Sequence, residues 1–254
     1  MIPTASSEIG QNIMYQRAYI ARRRPGTTRE AFQRRWRTHF EVALGMHGFW
    51  PPVTRYVQAD VFDEGLEGFP DVTTGVDAIG ESLYADRAAC DEAIAARLND
   101  VEGTAVAVRD AGEFLTWEPY VGIFGGEYTH LGGRDRAPLR LFACFARDSS
   151  AEYARFAEVI LGAVEVVGAG TALTLGRAED FPATAAGKGN EPFEAVLSVW
   201  FASEAAVRSF LAGEWWRGFT DRTRMVVDPG RSLLLVSREG LVVDRPGELA
   251  PVGA

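Results

Sequence analysis

The chain has 254 residues, 47% of them hydrophobic, and its formal net charge at pH 7 is -9. This length and composition suit one large or two small globular domains. The negative charge argues against a nucleic-acid or anionic-membrane surface, because phosphate binding needs clustered lysine and arginine. No apolar run approaches the roughly 20 residues of a membrane span, and residues 1–12 lack a signal-peptide pattern. We therefore expect a cytoplasmic protein.

The first predicted elements are a strand and an amphipathic helix. Alternating residues over 14–21 favour a β-strand, which ends at a run of arginines and a Pro-Gly pair. Thr28 can then cap a helix, which Pro51 and Pro52 stop. One face of this helix carries residues that recur at three- and four-residue steps, namely Phe32, Trp36, His39, Phe40, Ala43, Leu44 and His47.

Further strands and a second helix complete the first predicted unit. Strands are predicted over 53–62 and near 77–84. Asp86 can cap the second helix, and a strand over 113–120 closes the unit. Residues 121–137 are rich in glycine, arginine and aspartate, which marks them as the predicted domain boundary.

The second half of the sequence repeats the pattern of the first. A strand-like run that leads into a helix start occurs at 76–86 and again, about 120 residues later, at 193–204. Each half is predicted as strand, helix, strand, strand, helix, strand, which usually makes an antiparallel sheet with both helices on one face. We predict an α+β fold of two tandem βαββαβ units, 13–122 and 138–241, packed sheet to sheet.

The run 21–39 carries a resemblance to a known family. It has a basic strand end, a Pro-Gly turn, Phe32, the pair Trp36-Arg37 and a nearby histidine, His39, and it resembles the opening of EthD-like proteins. The run Tyr56-Val57-Gln58 is similar to the second strand of that family. The resemblance covers about residues 14–120, and the second half lacks the Trp-Arg and histidine signature.

The resemblance implies both a fold and a kind of chemistry. It implies ferredoxin-like units that pair into a dimeric α+β barrel. Related proteins include lyases, dehydratases, cyclases and monooxygenases that need no cofactor, and some barrel relatives bind haem. The family histidine is expected four residues after the tryptophan, where this chain has Phe40, whereas His39 stands three residues after Trp36.

Two histidines near the first helix are the leading candidates for proton transfer. Imidazole accepts or donates a proton near neutral pH, which makes His39 the first candidate for a general acid or base. His47 follows eight residues later, about two turns on, and is expected on a similar face. Packing or solvation is the alternative role of both, and His130 is expected to be a solvated loop residue. Ligand spacing of the i, i+4 kind is absent, so we predict no metal site.

Tyrosine and aspartate side chains on the strands can complete such a site. Tyr56 and Asp60 share one face of the second strand, and Tyr84 ends the third. A tyrosine can donate to a developing oxyanion, and a desolvated aspartate can act as a base. If this face points towards the helices, the residues lie near Trp36 and His39. Otherwise they line the barrel, and cross-strand packing is their alternative role.

Glu81 stands in the middle of an otherwise apolar strand. An unpaired buried carboxylate is costly, so we expect Glu81 either to pair with Arg17 or Arg55 or to take part in the site. Among the site residues we place it with the substrate-binding group.

An aromatic-rich set of residues can bind a flat ligand, although aromatic side chains more often form core. The predicted substrate walls are Trp36, Phe40 and Trp50, with Tyr84 beside them. The remaining aromatic candidates are Phe49, Trp117, Trp200, Trp215 and Trp216. The segment 187–190 superficially resembles a phosphate-binding loop but lacks the full spacing, and we discount it.

The sequence favours a cofactor-independent enzyme that acts on a small aromatic or polyketide-like molecule by acid–base chemistry. A lyase, dehydratase, cyclase or isomerase is the leading class, with His39 as acid or base and Tyr56 or Tyr84 as oxyanion donor. The alternatives are a non-catalytic ligand or haem carrier and a cofactor-free monooxygenase. A small-molecule substrate is the expected partner, and a homodimer is possible. The second half, which has no histidine, is expected to serve as the packing partner.

Overall fold

The computed structural model describes residues 14–116, 122–130, 137–164, 170–177 and 193–249. The first half, defined as residues 14–130, contains β1 (Met14–Arg23), α1 (Arg29–Ala43), β2 (Val53–Phe62), β3 (Ala78–Tyr84), α2 (Arg87–Asn99), α3 (Val101–Gly112), β4 (Leu115–Thr116) and β5 (Gly122–His130). The second half, defined as residues 139–244, contains β6 (Leu139–Phe145), α4 (Tyr153–Val164), β7 (Thr171–Leu175), β8 (Ala195–Phe201), α5 (Glu204–Ala212), α6 (Glu214–Thr223) and β9 (Leu233–Asp244). Within the described ranges, no helix is long and apolar enough to cross a membrane.

Eight of the strands form a closed antiparallel barrel. The order around it is β1, β3, β2, β9, β6, β8, β7 and β5, and β5 pairs back with β1. The halves meet at two seams, β2 with β9 and β5 with β7. Within the first half the strand order is β5-β1-β3-β2, and within the second it is β9-β6-β8-β7, so the two halves have the same order. The predicted antiparallel barrel is confirmed.

The strand that closes the first half lies later in the chain than predicted. The barrel position expected for residues 113–120 is taken by β5, which lies inside the stretch predicted as a loop. The glycine pair in β5 suggested a loop, but Gly126 serves the close approach of β5 to β7. A Cβ at Gly126 would overlap the backbone carbonyl of Leu175, so only glycine fits there. His130 therefore ends a strand instead of lying in a loop.

Side-chain caps start α1 and α2 where the sequence predicts them. The Oγ1 atom of Thr28 accepts the N–H of Ala31 at 3.2 Å, and Oδ1 of Asp86 accepts the N–H of Ala89 at 2.9 Å. The second helix of the first unit, predicted to reach about residue 98, is followed by a separate helix. Asp100 caps this added helix, α3, which supplies one of the residues of the candidate site.

The strands separate an apolar barrel interior from two outer layers of helices. Interior side chains include Ala18, Ile20, Val57, Ile79, Phe124, Phe142 and Leu235. Outward-facing side chains of the first half pack against α1, α2 and α3, and those of the second half pack against α4, α5 and α6. A ligand site can therefore lie in the barrel or in the layer between a sheet and its helices.

Glu81 pairs with the second half of the chain, and the predicted pairing with Arg17 or Arg55 is wrong. Its carboxylate accepts two hydrogen bonds from the guanidinium of Arg140, at 2.8 and 2.9 Å, and the two residues are only 2% and 3% exposed. Glu81 faces the interior because it is paired in register with Ala18. Burial raises the pKa of Glu81, while Arg140 opposes that rise. The partner was missed because it stands on β6, across the closed barrel.

Candidate active site

Helix α1 carries the predicted acid–base residue towards the outer face of the first-half sheet. Helix α1 contacts β2 where Nε2 of Gln58 donates to the backbone carbonyl of Trp36 at 3.0 Å. Tyr56 and Asp60 lie on the same face of β2 as Gln58, so they point towards the helices, outside the barrel. The buried residues of α1 are Phe32, Trp36, His39, Phe40 and Ala43.

His39 is held by an ion-paired carboxylate from α3. Its Nδ1 atom lies 2.7 Å from Oδ2 of Asp110. Arg35, one turn earlier on α1, donates to the same carboxylate and to Oε2 of Glu113, the latter at 3.1 Å. The Nε2 atom of His39 makes no hydrogen bond to any residue in the described ranges. A carboxylate on Nδ1 fixes the tautomer and leaves Nε2 as the proton acceptor.

Burial of His39 favours its neutral form near neutral pH. Burial lowers the pKa of His39, Asp110 partly offsets this, and Arg35 adds to the lowering. Burial favours the neutral acid at Asp110, but hydrogen bonds from Arg35 and His39 outweigh it and lower the pKa of that carboxyl. The resting pair is an ionised carboxylate beside a neutral imidazole, which is the state that a general base requires.

Aromatic rings flank this imidazole. The ring of Phe114 meets His39 edge-on with centroids 5.4 Å apart, and the Arg35 guanidinium lies 5.1 Å from the Phe114 centroid. Phe32 contacts both Phe114 and Trp36, with centroids 5.8 and 5.9 Å away. Trp36 is fully buried, and its Nε1–H has no hydrogen-bond partner among the described residues. An unsatisfied buried donor is costly, so this N–H is a candidate contact for a bound ligand.

Tyr56 lies beside a second tyrosine that was not predicted. Its hydroxyl accepts Nε2 of Gln58 at 3.4 Å and interacts with the hydroxyl of Tyr19 on β1. Burial, and then Tyr19, raise the pKa of Tyr56 well above its ordinary value. The Tyr19 ring lies over Gly80 of β3, where a Cβ would overlap it. Tyr19 is only partly buried and packs against the cluster that contains Trp36, whereas Tyr56 is buried.

Asp60 is held in an ion pair with α1. Arg37 binds Oδ2 of Asp60 and also donates to Oε1 of Gln58 at 2.9 Å. The side chains of Arg37 and Asp60 lie over Gly240 of β9, where a Cβ would overlap the Arg37 guanidinium. Burial raises the pKa of Asp60 although Arg37 opposes it. A hydrogen-bonded chain therefore runs from Asp60 through Arg37 and Gln58 to Tyr56, and the predicted role of Asp60 as a base stays a prediction.

Phe40, Trp50 and Tyr84 pack in the core of the first half. Phe40 stacks on Tyr56 with centroids 5.2 Å apart and meets Trp50 edge-on at 5.4 Å. Trp50 is 2% exposed and donates from Nε1 to the carbonyl of Ala43 at 2.6 Å. Tyr84 is fully buried in the same cluster. Their contacts are those of core residues, and their role as ligand walls stays a prediction.

His47 and Glu81 lie away from His39. Helix α1 ends at Ala43, so His47 lies in the turn beyond it and is exposed, whereas it was expected on the helix face. Gly45 comes just after Leu44, the residue that caps the helix at its C-terminus, and glycine weakens a helix. Glu81 points into the barrel, on the opposite face of the sheet from α1. Trp117 and the segment 187–190 lie outside the described residues.

Three residues that build the site were not predicted, namely Tyr19, Arg35 and Asp110. Asp110 is 71 residues from His39 in the chain, and it becomes a neighbour only because α3 packs beside α1. One signal was present in the sequence. Arg35 and His39 are spaced i, i+4 on a helix, so they share a face on which one carboxylate can bind both.

Solved structures similar to this chain identify the fold. An anthrone oxidase-like protein aligns with a TM-score of 0.57 and 11% identity over 99% of this chain and 100% of its own. A "putative monooxygenase" of Fusobacterium nucleatum subsp. nucleatum aligns with a TM-score of 0.54 and 9% identity over 91% of this chain and 94% of its own. The chain has the dimeric α+β barrel fold. No protein-family model matches it, and neither does any curated protein.

Proposed function

We propose that this protein is a cofactor-independent enzyme that moves a proton on a small aromatic or polyketide-like substrate, with His39 as the general base. The observation that carries this proposal is the His39–Asp110 pair, 2.7 Å apart. Asp110 orients its imidazole, burial favours the neutral form by lowering its pKa, and its Nε2 atom has no hydrogen-bond partner among the described residues. Such a base removes an acidic C–H or O–H proton and contributes about 10²–10⁴-fold to a rate.

The residues around His39 suit the anion that proton removal creates. The Asp110 carboxylate stabilises the imidazolium that forms when Nε2 takes the proton, while Arg35 keeps Asp110 ionised. Negative charge that moves to a substrate oxygen needs a hydrogen-bond donor. The Nε1–H of Trp36, which has no partner among the described residues, and the hydroxyl of Tyr19 are the donors that we assign to it. The rings of Phe32 and Phe114 supply an apolar wall for a flat substrate.

The fate of the substrate anion separates a first candidate, an isomerase or lyase, from a second, a cofactor-free monooxygenase. If His39 returns the proton to a different atom, the reaction is an isomerisation, and if a leaving group departs, it is a lyase reaction. If dioxygen takes the electrons, a methylene becomes a carbonyl, CH₂ + O₂ giving C=O + H₂O. The names of the two solved structures with this fold, which refer to oxidase and monooxygenase chemistry, favour this second candidate.

A haem carrier does not fit the surroundings of His39. This histidine is only 8% exposed, and Phe114 packs edge-on against its ring. We derive no step through haem, and an ultraviolet–visible spectrum with a Soret band in the purified protein would contradict the cofactor-free proposal.

We also propose that the chain is a tandem of two ferredoxin-like units, the first of them EthD-like. The repeated strand order and the resemblance over residues 21–39 support this. A homodimer remains compatible with it, and native mass spectrometry of the purified chain reports the number of copies.

The test uses anthrone and related phenolic ketones as probes, with His39→Gln compared against His47→Gln. Under argon, wild type is expected to speed deuterium exchange at the acidic methylene, and His39→Gln to lose about 100-fold or more of that rate. His47 is exposed, so its variant should retain the wild-type rate. Oxygen uptake in air then distinguishes an oxygenase from a lyase or isomerase. Equal exchange by wild type and His39→Gln would refute the assignment.

A further inference from the structure

Four polar residues meet inside the barrel, and we call them the interior quartet: Gln16, Glu81, Arg140 and Ser198. None is more than 3% exposed. The Arg140 guanidinium donates to both oxygens of Glu81, at 2.8 and 2.9 Å, and to Oγ of Ser198 at 2.9 Å. Nε2 of Gln16 donates to the Glu81 carboxylate. Glu81 comes from the first half and Arg140 from the second, so the ion pair spans the two halves.

Within each half, a neighbouring residue binds the charged side chain of that half, Glu81 in the first and Arg140 in the second. In the first half, Gln16 on β1 binds Glu81 on the neighbouring strand β3. In the second half, Ser198 on β8 binds Arg140 on β6, and the aromatic faces of Phe142 and Trp200 lie 4.0 and 4.6 Å from its guanidinium carbon. Each half therefore presents one prepared charge on its barrel face.

The two halves differ at equivalent positions of the same strand order. In the first half Ala18 is paired with Glu81, and in the second Phe142 is paired with Ser198. Aligned on these pairs, Glu81 corresponds to Ser198. Ala18 then corresponds to Phe142. Gln16 and Arg140 also correspond, because they stand two residues before Ala18 and Phe142 respectively. The repeated architecture thus carries a glutamine and a carboxylate in one half, and a guanidinium and a hydroxyl in the other.

This difference decides which barrel faces can close on each other. Two first halves would bury two Glu81 carboxylates, with only Gln16 side chains to meet them. Two second halves would bury two Arg140 guanidinium groups, with only Ser198 hydroxyls. An uncompensated buried charge is strongly unfavourable, whereas a paired and hydrogen-bonded one is tolerated. Only the union of a first half with a second half pairs the charges.

We propose that the interior quartet is a partner-selection device, which makes the barrel face of the first half accept the second half of this chain and reject the first half of another copy. Two further contacts across the halves agree with it. Oγ1 of Thr174 on β7 donates to Oε1 of Gln16. Arg55 of β2 lies 3.8 Å from Glu239 of β9, so this seam also joins opposite charges. The proposal is independent of the catalytic assignment of His39.

The first experiment gives both halves the same neutral pair. In the variant Glu81→Ser/Arg140→Gln, each half carries a glutamine and a serine at the quartet positions. After refolding at high protein concentration, native mass spectrometry should show a several-fold larger share of dimers and higher assemblies than wild type. The control is Ser237→Ala, which removes a fully buried barrel hydroxyl and leaves the charge pair intact. It should assemble as wild type does. An unchanged assembly pattern in the double variant would overturn the proposal.

A second experiment keeps the proposal testable if the neutral variant does not fold. Glu81→Arg alone and Arg140→Glu alone each bury two like charges, and both should refold to a small fraction of the wild-type soluble yield. The exchanged pair, Glu81→Arg/Arg140→Glu, restores opposite charges and should recover several-fold more soluble protein than either single variant. If the exchanged pair refolds no better than the single variants, charge complementarity is not what selects the partner.

Discussion

Replacing Asp110 by asparagine should lower the pKa of His39 further. In the wild type, burial lowers this pKa and the Asp110 carboxylate partly restores it, while Arg35 acts in the same direction as burial. Asp110→Asn keeps an oxygen that can accept the Nδ1–H, but it removes the negative charge and leaves the positive charge of Arg35. Both changes disfavour the imidazolium, so the sign of the expected shift is unambiguous.

The contact geometry sets the size of this shift. An opposite charge within about 4–6 Å changes a pKa by roughly 1–3 units. The His39 and Asp110 side chains touch at 2.7 Å and are 10% and 17% exposed, so solvent screens them only in part. Because Arg35 and Glu113 share the site, we expect a shift near the lower end of that range, about one unit or about 1.4 kcal/mol.

Proton NMR titration measures the effect directly, because the chain has three histidines and His39→Gln assigns the relevant resonance. Glu113→Gln is the matched control, since Glu113 binds the same Arg35 but makes no hydrogen bond to His39 in the part of the chain that the structure describes. It should move the pKa by a few tenths of a unit at most. A rise in the pKa of His39 in Asp110→Asn, or a shift no larger than in the control, would refute the assigned role of Asp110.

The same pKa shift predicts a pH dependence of stability. The folded pKa of His39 lies below the unfolded value of about 6.5, so between the two values the unfolded chain binds more protons than the folded one. Above the unfolded pKa, His39 therefore does not change the free energy of unfolding. As pH falls from the unfolded pKa towards the folded pKa, burial of the neutral imidazole lowers that free energy. Asp110→Asn should extend this loss to lower pH, which urea unfolding at a series of pH values measures.

Three further predictions concern packing. Trp50→Ala should lower the free energy of unfolding by about 3–5 kcal/mol in urea titrations, whereas His47→Ala, at an exposed turn, should change it by less than about 0.5 kcal/mol. Gly80→Ala should cost about 1–3 kcal/mol by the same measurement, because the new methyl group overlaps the Tyr19 ring, and a neutral effect would show that this ring can move freely. Burial raises the pKa of Cys90 to about 11 and that of Cys144 still further, so both thiols should react with a disulfide reagent only after unfolding.

The features that the sequence predicted well are those set by local periodicity. Thr28 as a cap and the three- and four-residue recurrence through Phe32 and Trp36 are properties of one helix, and they are visible without knowing its neighbours. Strand β5 was missed because Gly126 breaks the strand pattern, although close approach to β7 requires that glycine. Local composition cannot distinguish a glycine that ends a strand from one that lets two strands meet.

The residues that the sequence failed to connect are those whose partners come from distant elements. Glu81 was expected either to pair with a cation or to take part in the site, because the cost of burying a charge depends on the residue type and its strand position alone. Identifying Arg140 as that cation requires the order of strands around the barrel. The same holds for His39 and Asp110, whose contact depends on how α1 and α3 pack together.

The outer layers of the two halves differ in what they can do. Helix α1 turns His39 towards its sheet, whereas the buried residues of α4 are Phe156, Ile160, Ala163 and Val164, none of which can exchange a proton near neutral pH. A layer of purely apolar contacts maximises the area removed from water, and hydrophobic burial is the dominant favourable term in folding. A polar group in such a layer lowers that gain unless it is satisfied. The second half thus supplies four barrel strands and a helix, α4, whose buried side chains are apolar, while the first half carries His39, to which we assign proton transfer under the proposed function.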